Sequence, residues 1–390
     1  QESPHNHAAA GGLLAALLLL ECQGDHAAMW ALVALHTGAA HHSAVQQLGT
    51  DHLGDLSLVA SDRQVKEFFL DSVYGIASLL PDLPKVALTA AWERFCRIAP
   101  AVSRERAQFN QDLLSVLSPE LRLQAYLRCR FLLARLCFHD HVSAARQSGK
   151  DVPLRDWQDA FPEKLFVPRI CRLYPPPQRT IDQLRTRLRE AFLQEVCAHS
   201  GVFYFIDAPT GLGKTEAMLQ AAELLVAREH FRKIVYAVPQ ISVADQVFED
   251  YFANSGAAQI WDCRRHEKTL AASGALPEPR VGNGADAQAL EIEQHPFSES
   301  YNVTTFNQVL LAMCHPGRFR CIRSLGLQNA VVILDEFHKL PQVILPFFFR
   351  FAREYGRLFN CRFILGSATH LEPFPFWDLQ DSVRIPANVS

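Results

Sequence analysis

The sequence Ala208-Pro-Thr-Gly-Leu-Gly-Lys-Thr215 has the pattern of a phosphate-binding P-loop. Such a loop needs glycines where backbone N–H groups turn toward phosphate, a lysine for the charge of the β- and γ-phosphates, and a hydroxyl that binds Mg²⁺. A strand pattern at 201–206 precedes the loop and a helical pattern at 216–227 follows it, so the loop opens a helix whose dipole favours anionic phosphate. The residues expected to hold ATP are Pro209, Thr210, Gly211, Gly213, Lys214 and Thr215, the last also as a ligand of Mg²⁺.

A second motif, Val331-Val-Ile-Leu-Asp-Glu-Phe-His338, completes the predicted nucleotide site. Its apolar start is typical of a buried parallel strand, which would deliver Asp335 and Glu336 to the carboxyl edge of a sheet. Asp335 is expected to bind Mg²⁺, and Glu336 is expected to orient the attacking water. The two motifs together predict one ATP site, which neither motif would establish alone.

The chain after residue 200 alternates short apolar runs with helical patterns, which is typical of a parallel sheet. Val303-Thr-Thr-Phe-Asn-Gln308 is predicted as a loop that starts a helix. Its hydroxyls, on Thr304 and Thr305, suit either the phosphates of a single nucleic-acid strand or the cap of that helix. The predicted strands are 201–206, 233–238, 330–334 and 361–365.

The first 165 residues show helical patterns only. Ser118-Pro119 is a cap and first position that begins a long helix, whose last turn is expected to carry His139-Asp140-His141. The triplet Pro175-Pro176-Pro177 predicts a stiff, extended linker. The predicted organisation is a helical domain over 1–165, a linker with a connecting helix over 166–199, and an α/β domain over 200–390.

Composition limits the function classes. A formal net charge of −3 excludes a globally basic surface for nucleic acid, so any DNA contact must be a local groove. The ten cysteines include no CxxC pair and are expected to be reduced core thiols. The apolar run 8–20 is too short to span a bilayer, so we expect no membrane partner and a cytoplasmic location.

The ordered motifs resemble the first RecA-like lobe of a superfamily 2 DExH helicase. They are APTGLGKTE, YAVPQISVADQ, VTTFNQVLLA, LDEFHK and GSATH. More narrowly, residues 180–375 resemble the CRISPR-associated helicase-nuclease of type I systems. The resemblance implies that His338 acts beside the acid pair. It also implies that Ser367 and Thr369 bond toward His338 or its neighbours and link the γ-phosphate to the path of a single DNA strand.

That family carries an HD-type metal nuclease ahead of its helicase. The resemblance implies that a pair of divalent transition metals, which would activate water and clamp the scissile phosphate, is held by His7, His41, His42 and Asp140. The early His-Asp dyad of the family is missing, and Ser43 stands where a glycine is usual. The dyad therefore lies upstream of Gln1, or the nuclease is inactive. A third possibility is that these histidines belong to a helical accessory domain.

The expected function is ATP-dependent translocation on single-stranded DNA, coupled to metal-dependent DNA cleavage in CRISPR interference. The resemblance implies recruitment to an RNA-guided type I surveillance complex. Two alternatives stay open: a DExH helicase with a non-catalytic helical domain, and a degenerate nucleotide-binding scaffold. We expect a fragment truncated at both ends, with one RecA-like lobe, that binds nucleotide weakly and hydrolyses it slowly because a superfamily 2 motor takes arginines from a second lobe.

Overall fold

The structure, a computed structural model, divides the chain into two compact units. The first comprises residues 1–140 with 315–322, and the second comprises residues 141–314 with 323–390. The residues that the structure describes are 13, 15–17, 19–20, 26–40, 90–97, 106–147, 179–252, 297, 301–315, 321–368 and 382–385.

The described part of the first unit is helical, as predicted. Its long helix begins as expected, because Ser118 Oγ accepts a hydrogen bond from the Leu121 N–H (3.3 Å) and Pro119 is the first helical residue. The predicted end of this helix is wrong. The helix continues to Gln147, since the residues after His141 include no glycine or proline before that point, so Asp140 does not lie in its last turn. The helices are α1 (Ala27–Ala40), α2 (Arg106–Ser115) and α3 (Pro119–Gln147), and residues 90–97 are also helical.

A buried arginine ties the segment 315–322 to these helices. Arg130 on α3 is 1% exposed, and its Nε and Nη2 donate to the carbonyl oxygen of His315 at 3.1 Å and 2.7 Å. A guanidinium removed from water needs such acceptors. This contact joins His315 to α3 within the first unit.

The second unit is an α/β domain with six parallel strands in the order β3-β2-β4-β5-β1-β6. The strands are β1 (Phe203–Asp207), β2 (Lys233–Val238), β3 (Tyr301–Thr305), β4 (Ala330–Asp335), β5 (Arg362–Ser367) and β6 (Ser382–Ile385). The helices are α4 (Thr180–Ala198), α5 (Lys214–Glu229), α6 (Ile241–Val247), α7 (Phe306–Cys314), α8 (Arg323–Gly326) and α9 (Leu345–Phe359). A π-helix (Phe248–Phe252) follows α6, and a 3₁₀ turn (Phe337–Lys339) follows β4.

The parallel sheet is confirmed, with four strands within two residues of their predicted bounds, but one local prediction is wrong. Thr304 and Thr305 lie inside β3, buried to 2% and 5% exposure, and not in a loop. Residues 301–305 are rich in aromatic and β-branched side chains, which favours a strand over a loop. The predicted helix start is present, since α7 begins at Phe306, directly after Thr305.

Helices cover both faces of the sheet. On one face, Leu188 and Phe192 of α4 share a hydrophobic core with Leu219 of α5, so α4 belongs to this core. On the other face, Phe349 of α9 packs edge-on against Phe203 of β1 at 5.4 Å between ring centroids. Burial on both sides explains the continuous apolar strands. The predicted proline-rich linker lies outside the described residues, apart from its last positions.

Two further predictions concern cysteines and membranes. The described cysteines are free thiols; Cys129, Cys137, Cys321 and Cys361 are buried, but Cys197 is exposed, so its predicted place in a core is wrong. Within the described parts of the chain, no helix has both the length and the apolar character needed to cross a bilayer.

Candidate nucleotide-binding site

The predicted nucleotide-binding residues meet at the carboxyl ends of three parallel strands. The P-loop follows β1, Asp335 ends β4 with Glu336 directly after it, and Ser367 ends β5. Parallel strands bring these ends to one edge of the sheet. The cleft there has a volume of about 390 Å³. It is lined by Arg185, Pro209, Thr210, Gly211, Gly213, Lys214, Thr215, Glu216, Tyr251, Asp335 and Glu336.

The P-loop has the backbone conformation that its glycines permit. Gly211 and Gly213 have φ angles of 84° and 76°, in the left-handed region that residues with a Cβ adopt at a cost. A Cβ on Gly211 would have no heavy atom within 4 Å, so glycine is needed there for its φ angle and not for space. Gly213 precedes the first residue of α5, which places the loop at a helix N-terminus suited to an anion.

Lys214 is buried between the two carboxylates. Its Nζ lies 2.7 Å from Glu336 Oε1 and 3.6 Å from Asp335 Oδ1, and the residue is 7% exposed. A buried ammonium group requires opposite charge nearby. Phosphate oxygens could satisfy the same group, so a triphosphate and Glu336 would compete for Lys214.

Asp335 has the surroundings of a magnesium-binding carboxylate. Its Oδ2 accepts hydrogen bonds from Tyr236 OH (2.6 Å) and Thr215 Oγ1 (3.3 Å). Its Oδ1 is buried and accepts no hydrogen bond from any described residue. Carboxylate and hydroxyl oxygens are the ligands that Mg²⁺ prefers, so this pair fits the ion. Burial, and then the Asp335 charge, raise the pKa of Tyr236 well above 10, so its hydroxyl stays a donor.

Glu336 connects the P-loop to β5 through a series of polar contacts. Its Oε2 lies 3.3 Å from His338 Nε2, and His338 Nδ1 lies 3.1 Å from Ser367 Oγ. Glu336 also has a φ of 62°, which is uncommon for a residue with a side chain. Such backbone conformations cluster at functional sites. Thr369, the other residue expected near His338, lies outside the described residues.

Comparison with known proteins identifies the family. Residues 172–371, about half of the chain, match the family described as type III restriction enzyme, res subunit. The chain belongs to this family. It is also 27% identical over 163 residues to the CRISPR-associated endonuclease/helicase Cas3 of Thermus thermophilus, a match that covers 38% of this chain and 17% of the relative.

Two crystal structures of T. fusca Cas3 can be superposed in part on this chain. The crystal structure of T. fusca Cas3 matches 94% of this chain with a TM-score of 0.49 at 18% identity, and that of its ATP complex matches 94% with a TM-score of 0.48 at 18% identity. The chain covers only 40% and 39% of those chains. The family match and the Thermus relative show that this chain carries a helicase-family domain similar to Cas3.

The side chains of the four residues implied for an HD-type metal site lie outside the described part of the chain. His7, His41 and His42 lie outside the described residues, and Asp140 lies within α3 with its side chain outside them. Among the described side chains, no group of three His, Cys, Asp or Glu could hold a metal ion. The HD-type site therefore stays a prediction.

The motifs did not predict Arg185, Glu216 and Tyr251, which line the cleft, or Tyr236, which donates a hydrogen bond to Asp335. Arg185 of α4 lines the cleft, and its Nε donates to the carbonyl oxygen of Gly211 at 2.9 Å. Tyr236 was not predicted to contact the site either, although it begins the sequence Tyr236-Ala-Val-Pro239 within one of the quoted motifs. Only the fold reveals that these residues reach the site.

Proposed function

We propose that this chain is the motor part of a Cas3-type protein that moves along single-stranded DNA at the expense of ATP. The observation that carries the proposal is the convergence of Lys214, Thr215, Asp335 and Glu336 on one cleft. Family membership and the similarity to Cas3 support it. We further propose that the motor is coupled to metal-dependent DNA cleavage in CRISPR interference.

Each side chain has a distinct role in this proposal. Lys214 binds the β- and γ-phosphates, and Thr215 with Asp335 holds Mg²⁺. Mg²⁺ supplies positive charge against the phosphates when it is bound. Glu336 orients the attacking water, but its Oε1 is engaged by Lys214 at 2.7 Å in the described arrangement. Transfer of Lys214 to phosphate would release Glu336 for that task.

The contacts around His338 provide a route from ATP toward DNA. Glu336 contacts His338, and His338 contacts Ser367 at the end of β5. A change in the bonding of Glu336 would therefore alter the position of His338 and of the turn after β5. We propose that this is how hydrolysis is linked to movement of the strand, with Ser367 and Thr369 in the turn.

Nucleotide binding tests the motor proposal most directly. Titration of the full chain with a fluorescent ATP analogue and Mg²⁺ is expected to show saturable binding that Lys214→Ala weakens by about tenfold or more, because the main cation for the phosphates is lost. Lys339→Ala is the control, since Lys339 is exposed in the turn after Glu336. Equal binding by wild type and Lys214→Ala would refute the motor. Tight binding without hydrolysis, even with single-stranded DNA, would favour the scaffold alternative.

The nuclease proposal rests on the resemblance of the N-terminal sequence to an HD-type domain. His7, His41, His42 and Asp140 would hold a pair of divalent transition metals. Metal analysis of the purified chain is expected to find bound metal that the double variant His41→Ala, His42→Ala loses. His199→Ala, at an exposed histidine of the α/β unit, should lose none. Wild-type protein without metal would favour a non-catalytic helical domain.

Recruitment to an RNA-guided type I surveillance complex is also proposed, on the similarity to Cas3 alone. Binding of the chain to such a complex, loaded on target DNA and immobilised, would support it. Equal retention on target-free complex would argue against recruitment by target recognition. This experiment leaves the ATPase proposal unaffected.

A further inference from the structure

Tyr236 is a buried residue outside the two nucleotide-binding motifs, and it contacts Asp335, the carboxylate proposed to bind Mg²⁺. It lies in β2, next to β4, where it pairs with Ile333. The residue is 0% exposed, and its OH lies 2.6 Å from Asp335 Oδ2. This hydrogen bond is shorter than the one from Thr215 Oγ1, which lies 3.3 Å from the same oxygen.

The two donors to Asp335 differ in what else they must do. The hydroxyl oxygen of Thr215 is also proposed to bind Mg²⁺. Binding of the metal would reorient this hydroxyl and so alter its hydrogen bond to Asp335 Oδ2. Tyr236 does not line the cleft and has no such second task. Its hydroxyl can therefore hold Asp335 Oδ2 both before and after the metal binds.

Apart from Thr215, no other described residue donates a hydrogen bond to Asp335 that could replace the one from Tyr236. Asp335 Oδ1 is buried and accepts no hydrogen bond from a described residue, and Lys214 Nζ lies 3.6 Å from it. Lys214 would itself move to phosphate when nucleotide binds. The orientation of the carboxylate would then depend on Tyr236.

We propose that Tyr236 is a positioning residue that fixes the Asp335 carboxylate for Mg²⁺. The inference rests on the proposed ATPase function and adds to it a residue from a neighbouring strand. Partners of metal ligands commonly change metal affinity by about 10- to 100-fold when they are removed. Loss of Tyr236 should therefore weaken the Mg²⁺-dependent part of nucleotide binding.

The chain offers a close control in Tyr301. This residue of β3 is 1% exposed, and its OH donates to Glu223 at the same distance, 2.6 Å. Tyr301→Phe and Tyr236→Phe each remove one hydroxyl from a buried tyrosine–carboxylate pair. Only Tyr236→Phe removes it from the residue proposed to bind Mg²⁺. Thermal unfolding of both variants shows whether each still folds.

The experiment measures affinity for a fluorescent ATP analogue in the full chain, with Mg²⁺ and with EDTA. The gain in affinity caused by Mg²⁺ is expected to fall at least about fivefold in Tyr236→Phe, with affinity in EDTA unchanged. Tyr301→Phe should keep the wild-type gain. A wild-type gain in Tyr236→Phe would overturn the inference and leave the ATPase proposal intact. Wild-type protein with no nucleotide binding would overturn both.

Discussion

Lys214 Nζ lies 2.7 Å from Glu336 Oε1, so the lysine expected to bind phosphate and the carboxylate expected to orient water are paired with each other. Both groups are largely withdrawn from solvent, at 7% and 23% side-chain exposure. Mutual neutralisation explains how the site tolerates this burial. It also means that a triphosphate would have to displace Glu336 from Lys214, which would free Glu336 to orient water.

The first prediction concerns Glu336→Gln. The change removes the negative charge that competes for Lys214, so the affinity for an ATP analogue should stay equal or increase. Hydrolysis should fall by about 100-fold or more, because the carboxylate proposed to orient the attacking water is lost. Single-turnover hydrolysis and equilibrium binding measure the two effects separately.

Glu190→Gln serves as the control for charge removal, since Glu190 is exposed on α4. It should change neither binding nor hydrolysis. A Glu336→Gln variant that binds nucleotide much more weakly than wild type would contradict the exchange of Lys214 between Glu336 and phosphate.

The second prediction concerns Arg185. Its Nε lies 2.9 Å from the carbonyl oxygen of Gly211, and its Nη1 lies 3.3 Å from Asp182 Oδ1. P-loop amides can face phosphate only if the carbonyls of the loop face away and find donors. Arg185→Ala should therefore reduce the affinity for nucleotide by roughly three- to tenfold, a loss typical of one charge-assisted hydrogen bond. Arg187→Ala, at an exposed position on the same helix, should have no effect.

Local sequence was enough to predict the elements that carry strong, short-range signals. The P-loop glycines, the strand before them and the Asp335–Glu336 pair follow from backbone and charge requirements that act within a few residues. The cap at Ser118 is another such signal, since the residues that define it are neighbours in sequence. These features needed no knowledge of the fold.

What the sequence did not reveal depends on contacts between distant residues. Thr304 and Thr305 were expected in a loop before a helix, but pairing with β2 places them at the end of a strand that leads directly into α7. Tyr236 and Arg185 reach the site only because β2 lies beside β4 and α4 passes the P-loop. The Lys214–Glu336 pair joins residues 122 positions apart. Neither hydrophobic periodicity nor a local motif predicts which residues so far apart in sequence come into contact.

The third prediction uses Gly366 in β5. A Cβ there would lie 2.6 Å from Met218 Sδ and 3.1 Å from Asp335 Oδ1, which is closer than side chains normally approach. Gly366→Ala should reduce the free energy of unfolding by about 1–3 kcal/mol, the usual cost of overpacking a core. Because the new methyl group also displaces Asp335, the gain in nucleotide affinity caused by Mg²⁺ should decrease. Denaturant unfolding and nucleotide titration measure these effects.

Gly356→Ala separates the two consequences. A Cβ on Gly356 would lie 2.7 Å from Val202 Cγ1 and 2.9 Å from the carbonyl oxygen of Cys361, so this variant should also lose stability. Its new contacts include none of the nucleotide-binding residues, and the Mg²⁺ dependence should stay as in wild type. Equal Mg²⁺ dependence in both variants would show that Gly366 matters for packing only.

The last prediction concerns thiol reactivity. Burial raises the pKa of Cys361 to about 12 and that of Cys129 to about 11, whereas Cys197 is exposed on α4. The thiolate is the reactive form, so at pH 8 the two buried residues should react with Ellman's reagent far more slowly than Cys197. Cys197→Ser should remove one fast-reacting thiol, while Cys361→Ser and Cys129→Ser should remove none. Denaturant should make the buried thiols react quickly, because unfolding restores access and an ordinary pKa near 9.0. Loss of a fast phase in Cys361→Ser would mean that the start of β5, which directly follows Cys361, becomes accessible to solvent in the folded protein. The strand that ends at Ser367 would then be less stable than its burial suggests.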